Sequence, residues 1–133
     1  MILKSGYDKA LVKEICKNCG SKNVKNTYSY LDVANYQAKD KFICESIDDC
    51  CFFAGIVCKK HFRLIEIAVK EEAQRKGYGT ALLLRLKKLC REKGLAKITY
   101  RVAKDETAVE FYKKKGGVIV GEKGTDYEME MKV

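Results

Sequence analysis

The sequence predicts an α/β (α+β) fold: a mixed, mostly antiparallel central sheet with helices on both faces. Three observations predict it. Three apolar, strand-like runs follow one another between tight turns over residues 41–69. A helix-like run over 77–93 is then flanked by strand-like segments, as in a β-α-β crossover. Two further strand-like runs, 118–121 and 127–133, close the chain. Strands joined by tight turns pair antiparallel, and strands joined through a helix pair parallel with a right-handed connection. Such a sheet is therefore mixed, and helices cover it.

Residues 8–19 carry helical periodicity, with Leu11, Val12, Ile15, Cys16 and Cys19 on one face. Asp8 can cap the start and Gly20 can end it. Residues 21–26 read as a polar loop. In 27–39, Tyr28, Leu31, Val33 and Tyr36 suit a short helix or irregular structure. Lys41 to Ile47, Cys50 to Cys58 and Phe62 to Val69 are strand-like, with turns at Asp48-Asp49 and Lys59-Lys60. Gly55 marks a bulge or close packing, and His61 falls in a hairpin turn. Gly77 to Lys93 is the strongest helix; Leu82, Leu83, Leu86, Leu89 and Cys90 form its apolar face and Gly94 ends it. Ala96 to Ala103 is a strand. A last helix, capped by Asp105 or Thr107, runs to about Lys115 and buries Ala108, Phe111 and Tyr112 before Gly116-Gly117 breaks it.

At 133 residues, with no proline and 47% hydrophobic content, residues 1–133 are expected to form a single domain. No apolar run approaches the ~20 residues of a membrane span. Met1 to Gly6 is too short for a signal-peptide core, so a soluble, cytoplasmic protein is expected. The net charge of +9 suits a polyanionic partner. No nucleic-acid motif accompanies it, so a nucleic-acid-binding domain ranks behind a small polyanionic ligand. The seven cysteines are odd in number and read as reduced thiols. Cys16 and Cys19 form half a zinc ribbon, but no second C-x-x-C completes four ligands, so no metal is expected.

The stretch from Val69 to Leu84 organises the rest. An apolar strand leads into Gln74, Arg75, Lys76, Gly77, Tyr78, Gly79 and Thr80, and a helix begins there. The first turn of a helix leaves N–H groups without partners and carries the positive end of the macrodipole. Glycines there let a phosphate approach the backbone. The Walker pattern and the three-glycine Rossmann fingerprint do not fit. The spacing that fits is Gln/Arg-x-x-Gly-x-Gly/Ala, filled by Gln74, Gly77 and Gly79.

This motif resembles the acetyl-CoA motif of the GNAT superfamily of N-acetyltransferases. Asp105-Glu-Thr-Ala108-Val-Glu-Phe111-Tyr112-Lys-Lys-Lys-Gly116 resembles the family's second signature, Asn-x-x-Ala-x-x-Phe-Tyr-x-x-x-Gly-Phe, at the right separation. The resemblance runs from about Phe42 to the C-terminus. Asp105 departs from the usual Asn and Gly117 from the usual Phe, and only Met1 to Leu3 could supply a first strand. The N-terminal region is accordingly shortened, and residues 8–40, which shape the acceptor site, are the least constrained.

The resemblance implies that acetyl-CoA lies between two splayed strands. Its pantetheine arm would pair with Ile67, Ala68 and Val69. Its phosphates would meet Gln74, Arg75, Lys76, Gly77, Tyr78, Gly79 and Thr80, and Asp105 and Ala108 would complete the cofactor site. The acceptor would be a primary amine of a small molecule or a protein, handled by a monomer or homodimer. Tyr112, at the Tyr of the Phe-Tyr pair, is the candidate general acid; packing beside Phe111 is the alternative. Glu66 is the candidate base, and a partly exposed strand residue is the alternative. Strand alternation places Leu64, Glu66 and Ala68 on one face and Ile65, Ile67 and Val69 on the other. A non-catalytic acyl-CoA-binding module on the same fold remains the competing reading.

Overall fold

A computed structural model describes residues 1–24 and 27–133. In chain order its elements are β1 (Leu3–Ser5), α1 (Lys9–Lys17), α2 (Thr27–Ala38), β2 (Phe42–Ile47), β3 (Cys51–Val57), β4 (His61–Val69), α3 (Tyr78–Glu92), β5 (Lys97–Ala103), α4 (Ala108–Lys114), β6 (Val118–Lys123) and β7 (Asp126–Lys132). The strands form one sheet in the order β1-β2-β3-β4-β5-β7-β6. Every neighbouring pair is antiparallel except β4 and β5, which the α3 crossover makes parallel.

Helices cover both faces of the sheet. Leu82, Leu83, Leu86 and Cys90 of α3 and Tyr112 of α4 pack on Phe53, Phe62, Leu64, Ile98, Met129 and Met131. Val12, Ile15 and Cys16 of α1 and Leu31 and Ala34 of α2 pack on the other face against Cys44, Phe52, Ala54 and Ala68. β3 is covered on both sides, which is why Cys51-Phe-Phe-Ala54 is continuously apolar and fully buried. Each large side chain so removed from water contributes about 1.5–3 kcal/mol.

Several expectations shift. β1 exists but lies at Leu3–Ser5, pairing with β2 through Leu3↔Ile47 and Ser5↔Glu45. The Asp8 carboxylate accepts from the Leu11 N–H at 3.1 Å, as a cap should, but α1 ends at Lys17 with Asn18 as its C-cap, before Gly20. α2 is a full helix that buries Leu31 and Ala34 and exposes Val33 and Tyr36. The polar loop is described as far as Val24; Lys25 and Asn26 lie outside the described residues. His61 is in β4 and not in a turn, because it pairs with Lys97 of β5. Thr107 occupies the cap position of α4 without a capping side-chain hydrogen bond. In α4 the deeply buried residues are Val109 and Tyr112, while Ala108 and Phe111 are half-buried.

One shift matters for the site. The β3–β4 register slips between Ala54 and Gly55: Ala54 faces Glu66, but Gly55 faces Leu64. Ile65 is the extra residue of a β-bulge, which inverts the alternation on its N-terminal side. Leu64 therefore joins the α3/α4 core with Ile67 and Val69, while Ile65 joins the α1/α2 core with Ala68. The expected grouping of Leu64 with Glu66 and Ala68 is corrected by that single residue. Gly55 is required beside the bulge, since a Cβ there would collide with the Arg63 carbonyl and the Phe62 ring.

Candidate active site

β4 and β5 pair only through His61↔Lys97, Phe62↔Ile98 and Arg63↔Thr99. Beyond Arg63 they part, and the C-terminal half of β4 loses its neighbour on that side. The ladder phase shows which backbone groups face the gap. The Lys70 N–H donates to the Cys50 carbonyl at 2.8 Å. Hydrogen-bonded pairs alternate along an antiparallel ladder, so Ala68 is bonded to Phe52 and Glu66 to Ala54. The N–H and C=O groups of Ile67 and Val69 point away from β3, into the gap. Ala68 thus spends its backbone groups on β3, and Ile67 and Val69 form the open edge.

The loop leading into α3 is held from behind. The Gln74 side-chain amide donates to the Val69 carbonyl at 3.0 Å and to the Cys19 carbonyl at 2.8 Å. Gln74 therefore shapes the loop and ties it to the end of α1. Arg75 takes φ 65° and Gly77 φ 86°, so the chain turns sharply twice before the helix. Any residue with a Cβ is strained in the conformation Gly77 adopts. The first bond into α3 runs from the Ala81 N–H to the Gly77 carbonyl at 3.0 Å. The N–H groups of Tyr78, Gly79 and Thr80 have no backbone acceptor among the described residues, and they lie at the positive end of a 15-residue helix. Nothing stands within 4 Å of where a Gly77 Cβ would lie, so the cradle is open on that side. Gly79 has another role: a Cβ there would come within 3.1 Å of the Phe111 ring, so its absence lets α4 approach α3. The Tyr78 hydroxyl donates to Asp48 at 2.7 Å and anchors the helix start to the β2–β3 turn.

Edge and cradle line one cleft of about 1500 Å³. Every residue expected in catalysis or cofactor binding lines it except Lys76, which is exposed. Sequence reasoning missed Tyr100, Arg101, Lys104, Glu106 and the 21–24 segment, all of which also line it. Ser21 and Asn23 both donate to Glu106 Oε1, joining the α1–α2 loop to the loop before α4. No periodicity links those two loops, so only the fold brings them together.

Glu66 lies at the gap. Burial pushes its carboxyl up to about 7, while the Ile67 N–H and the Thr27 hydroxyl pull the other way. Tyr112 is buried on the α4 side of the gap and its ring lies 4.4 Å, centre to centre, from that of Tyr100. Burial, reinforced by the Glu66 and Tyr100 charges, raises the Tyr112 phenol well above its ordinary value, so it keeps its proton at neutral pH. A second groove, of about 570 Å³, opens on the other face between Tyr30, Arg63, Val120 and Glu128. It shares Leu64, Ile65, Glu66, Tyr100, Arg101 and Asp126 with the cleft. Glu66 is therefore reachable from both sides of the sheet.

Among the described residues no group of three or more His, Cys, Asp or Glu side chains could hold an ion. Burial pushes the thiols of Cys16, Cys44 and Cys51 up to about 12, and the Cys19 thiol donates to the Cys16 carbonyl at 3.3 Å.

The model of the acetyltransferase (GNAT) family matches residues 42–117, more than half of the sequence. The chain belongs to the GNAT acetyltransferase family: it is an acyltransferase, and acetyl-CoA is its co-substrate. No curated protein matches it by sequence. Among solved structures it is similar to the PaiA N-acetyltransferase from Thermoplasma acidophilum in complex with coenzyme A, with TM-score 0.78 and 20% identity over 100% of both chains. It is similar to Ard1 from Thermoplasma volcanium, with TM-score 0.79 and 22% identity over 99% of this chain and 97% of that one. It is also similar to the ribosomal-protein-S18-alanine N-acetyltransferase from Escherichia coli, with TM-score 0.77 and 18% identity over 99% and 93% of the two chains. At these identities the likeness is one of fold. Among the described residues no helix is long and apolar enough to cross a membrane.

Proposed function

We propose that this protein transfers the acetyl group of acetyl-CoA to a primary amine of a small molecule or a protein, with residues 1–133 acting as one cytoplasmic unit, monomeric or homodimeric. The observation that carries the reading is the gap itself. Two β4 residues whose backbone turns away from β3, a carboxyl raised toward neutrality and a protonated phenol line it, beside a helix start with three N–H groups that have no backbone acceptor among the described residues.

The co-substrate supplies an activated acyl thioester. Its pyrophosphate fits the Tyr78, Gly79 and Thr80 N–H groups, with Arg75 lending charge, and the Ile67 carbonyl and Val69 N–H face the amides of the pantetheine arm. The Ile67 N–H points where it can polarise the acyl carbonyl, as an oxyanion hole does. Glu66 takes the proton the amine sheds as its nitrogen bonds to the acyl carbon. A base of this kind works best with a pKa near the operating pH. Tyr112 supplies a proton to the sulfur as the C–S bond breaks. A mass-spectrometric screen of small amines and amine-bearing peptides, incubated with enzyme and acetyl-CoA, tests the reading. Acetylation of at least one amine class supports it; bound acetyl-CoA with no acetylated product in any class contradicts it.

A further inference from the structure

The Ile67 N–H faces the gap, but it is occupied. Glu66 Oε1 accepts from it at 3.1 Å. The candidate base therefore sits on the donor that the functional reading assigns to the acyl carbonyl, and both groups cannot use that donor at once. Glu66 also has somewhere else to go, since it lines the cleft and the groove on the opposite face.

We propose that Glu66 is a displaceable cap on the Ile67 amide: an acyl carbonyl that takes the N–H expels the carboxylate toward the groove beside Tyr30 and Arg63, where it acts as the base. This rests on the acetyltransferase reading above. It makes the base respond to the acyl group itself. Free coenzyme A has no thioester carbonyl to compete for the N–H and leaves the cap in place. The enzyme thus distinguishes loaded from spent co-substrate with one hydrogen bond, and the base is freed only when there is an acetyl group to transfer.

The surroundings set the sign of the pH dependence. Cys16 of α1, Cys19 just beyond it, Glu106 of the loop before α4 and Tyr112 of α4 feel the Glu66 charge, and Thr27 of α2 lies beside it. In the groove the carboxylate would meet Arg63 of β4, Arg101 of β5, and Asp126, Glu128 and Glu130 of β7, with the Tyr30 hydroxyl from α2. Arg101 is paired with Asp126, but Arg63 is bonded only to the neutral Tyr30 hydroxyl and keeps its charge. Burial is the first cause of the raised Glu66 carboxyl, so a carboxylate that leaves it for a groove holding Arg63 binds its proton less tightly, against the smaller effect of the lost Ile67 N–H. Acetyl-CoA should therefore release protons as it binds near neutral pH and bind more tightly as pH rises. Coenzyme A should do neither.

Calorimetry of both ligands, in buffers of different ionisation heat, reads this directly. The wild type should release a fraction of a proton with acetyl-CoA and none with coenzyme A. Glu66→Ala should abolish the release and raise the preference for acetyl-CoA over coenzyme A by roughly tenfold, the scale of one charge-assisted hydrogen bond. Should Glu66→Ala fail to fold, Glu66→Gln decides alone: it keeps the volume but cannot titrate, so release should vanish. Release that persists in either variant, a wild type that takes up protons or exchanges none with acetyl-CoA, or an unchanged preference in a folded Glu66→Ala protein, overturns the cap while leaving the acetyltransferase reading intact. A wild type that binds neither ligand overturns both.

Discussion

The Tyr100 hydroxyl stands where a side chain on Gly117 would begin. Gly117 occupies the position at which the family signature carries Phe, and Tyr100 of β5 fills the vacated space. Its hydroxyl is buried there without a hydrogen-bond partner among the described residues. The departure in the signature is thus matched by an aromatic from β5, and that ring packs on Tyr112.

Gly117→Ala should therefore destabilise the protein by about 1–3 kcal/mol, the range for overpacking a filled core. Tyr100→Phe removes only the unpartnered hydroxyl and should be close to neutral or stabilising. The two should not add in the double variant, because the same atoms clash. Urea denaturation of all four proteins measures the coupling.

The two cradle glycines should fail differently. Gly77→Val strains a left-handed position by about 1–2 kcal/mol, and its side chain enters the open space at the helix start. Acetyl-CoA affinity should fall at least tenfold while the protein remains folded. Gly79→Val should push Phe111 and α4 away and lower the melting temperature as well. Isothermal titration paired with thermal denaturation separates the two; unchanged affinity in Gly77→Val would place the phosphates elsewhere.

Much of this was legible in the chain because it rests on local signals. The hairpins follow from tight turns between apolar runs, α3 from a five-residue apolar face, and the cradle from two glycines at a helix start. What escaped was set by register and by contacts distant in sequence. Ile65 and Glu66 sit in an apolar run that reads the same with or without a bulge, so the inversion of Leu64 and Ile65 leaves no trace in it. The parting of β4 from β5 is likewise a matter of where pairing stops. Gln74 looked like a phosphate donor, but its amide meets carbonyls of Val69 and Cys19, and only the fold supplies the second. The Glu106 contacts with Ser21 and Asn23 join residues more than eighty positions apart.

Glu66 should give the activity its acidic limb. A base must be deprotonated, so kcat/KM should rise with pH through about 7 and then level off. The effect on stability has the opposite sign. The folded carboxyl binds its proton more tightly than the ordinary value of 4.5, so folding is favoured below that value and this contribution is lost as pH rises through about 7. Glu66→Gln should remove the acidic limb from the rate profile and flatten stability over the same window. A retained limb in that variant would assign the base to another group.

Tyr112→Phe keeps the ring that packs on Tyr100 and removes the proton donor. A general acid typically contributes ~10²–10⁴ in rate, so kcat should fall by that order while acetyl-CoA affinity and melting temperature change little. Wild-type turnover across the pH range would make water the proton source and leave Tyr112 as a packing residue.

Release of coenzyme A thiol, followed over time with acetyl-CoA and each member of an amine panel, tests the central claim most directly. The account predicts release that depends on amine, saturates with it, and matches the acetylated product mole for mole. Tight binding of acetyl-CoA with no amine-dependent release from any class would contradict it and leave a non-catalytic acyl-CoA-binding module on the same fold.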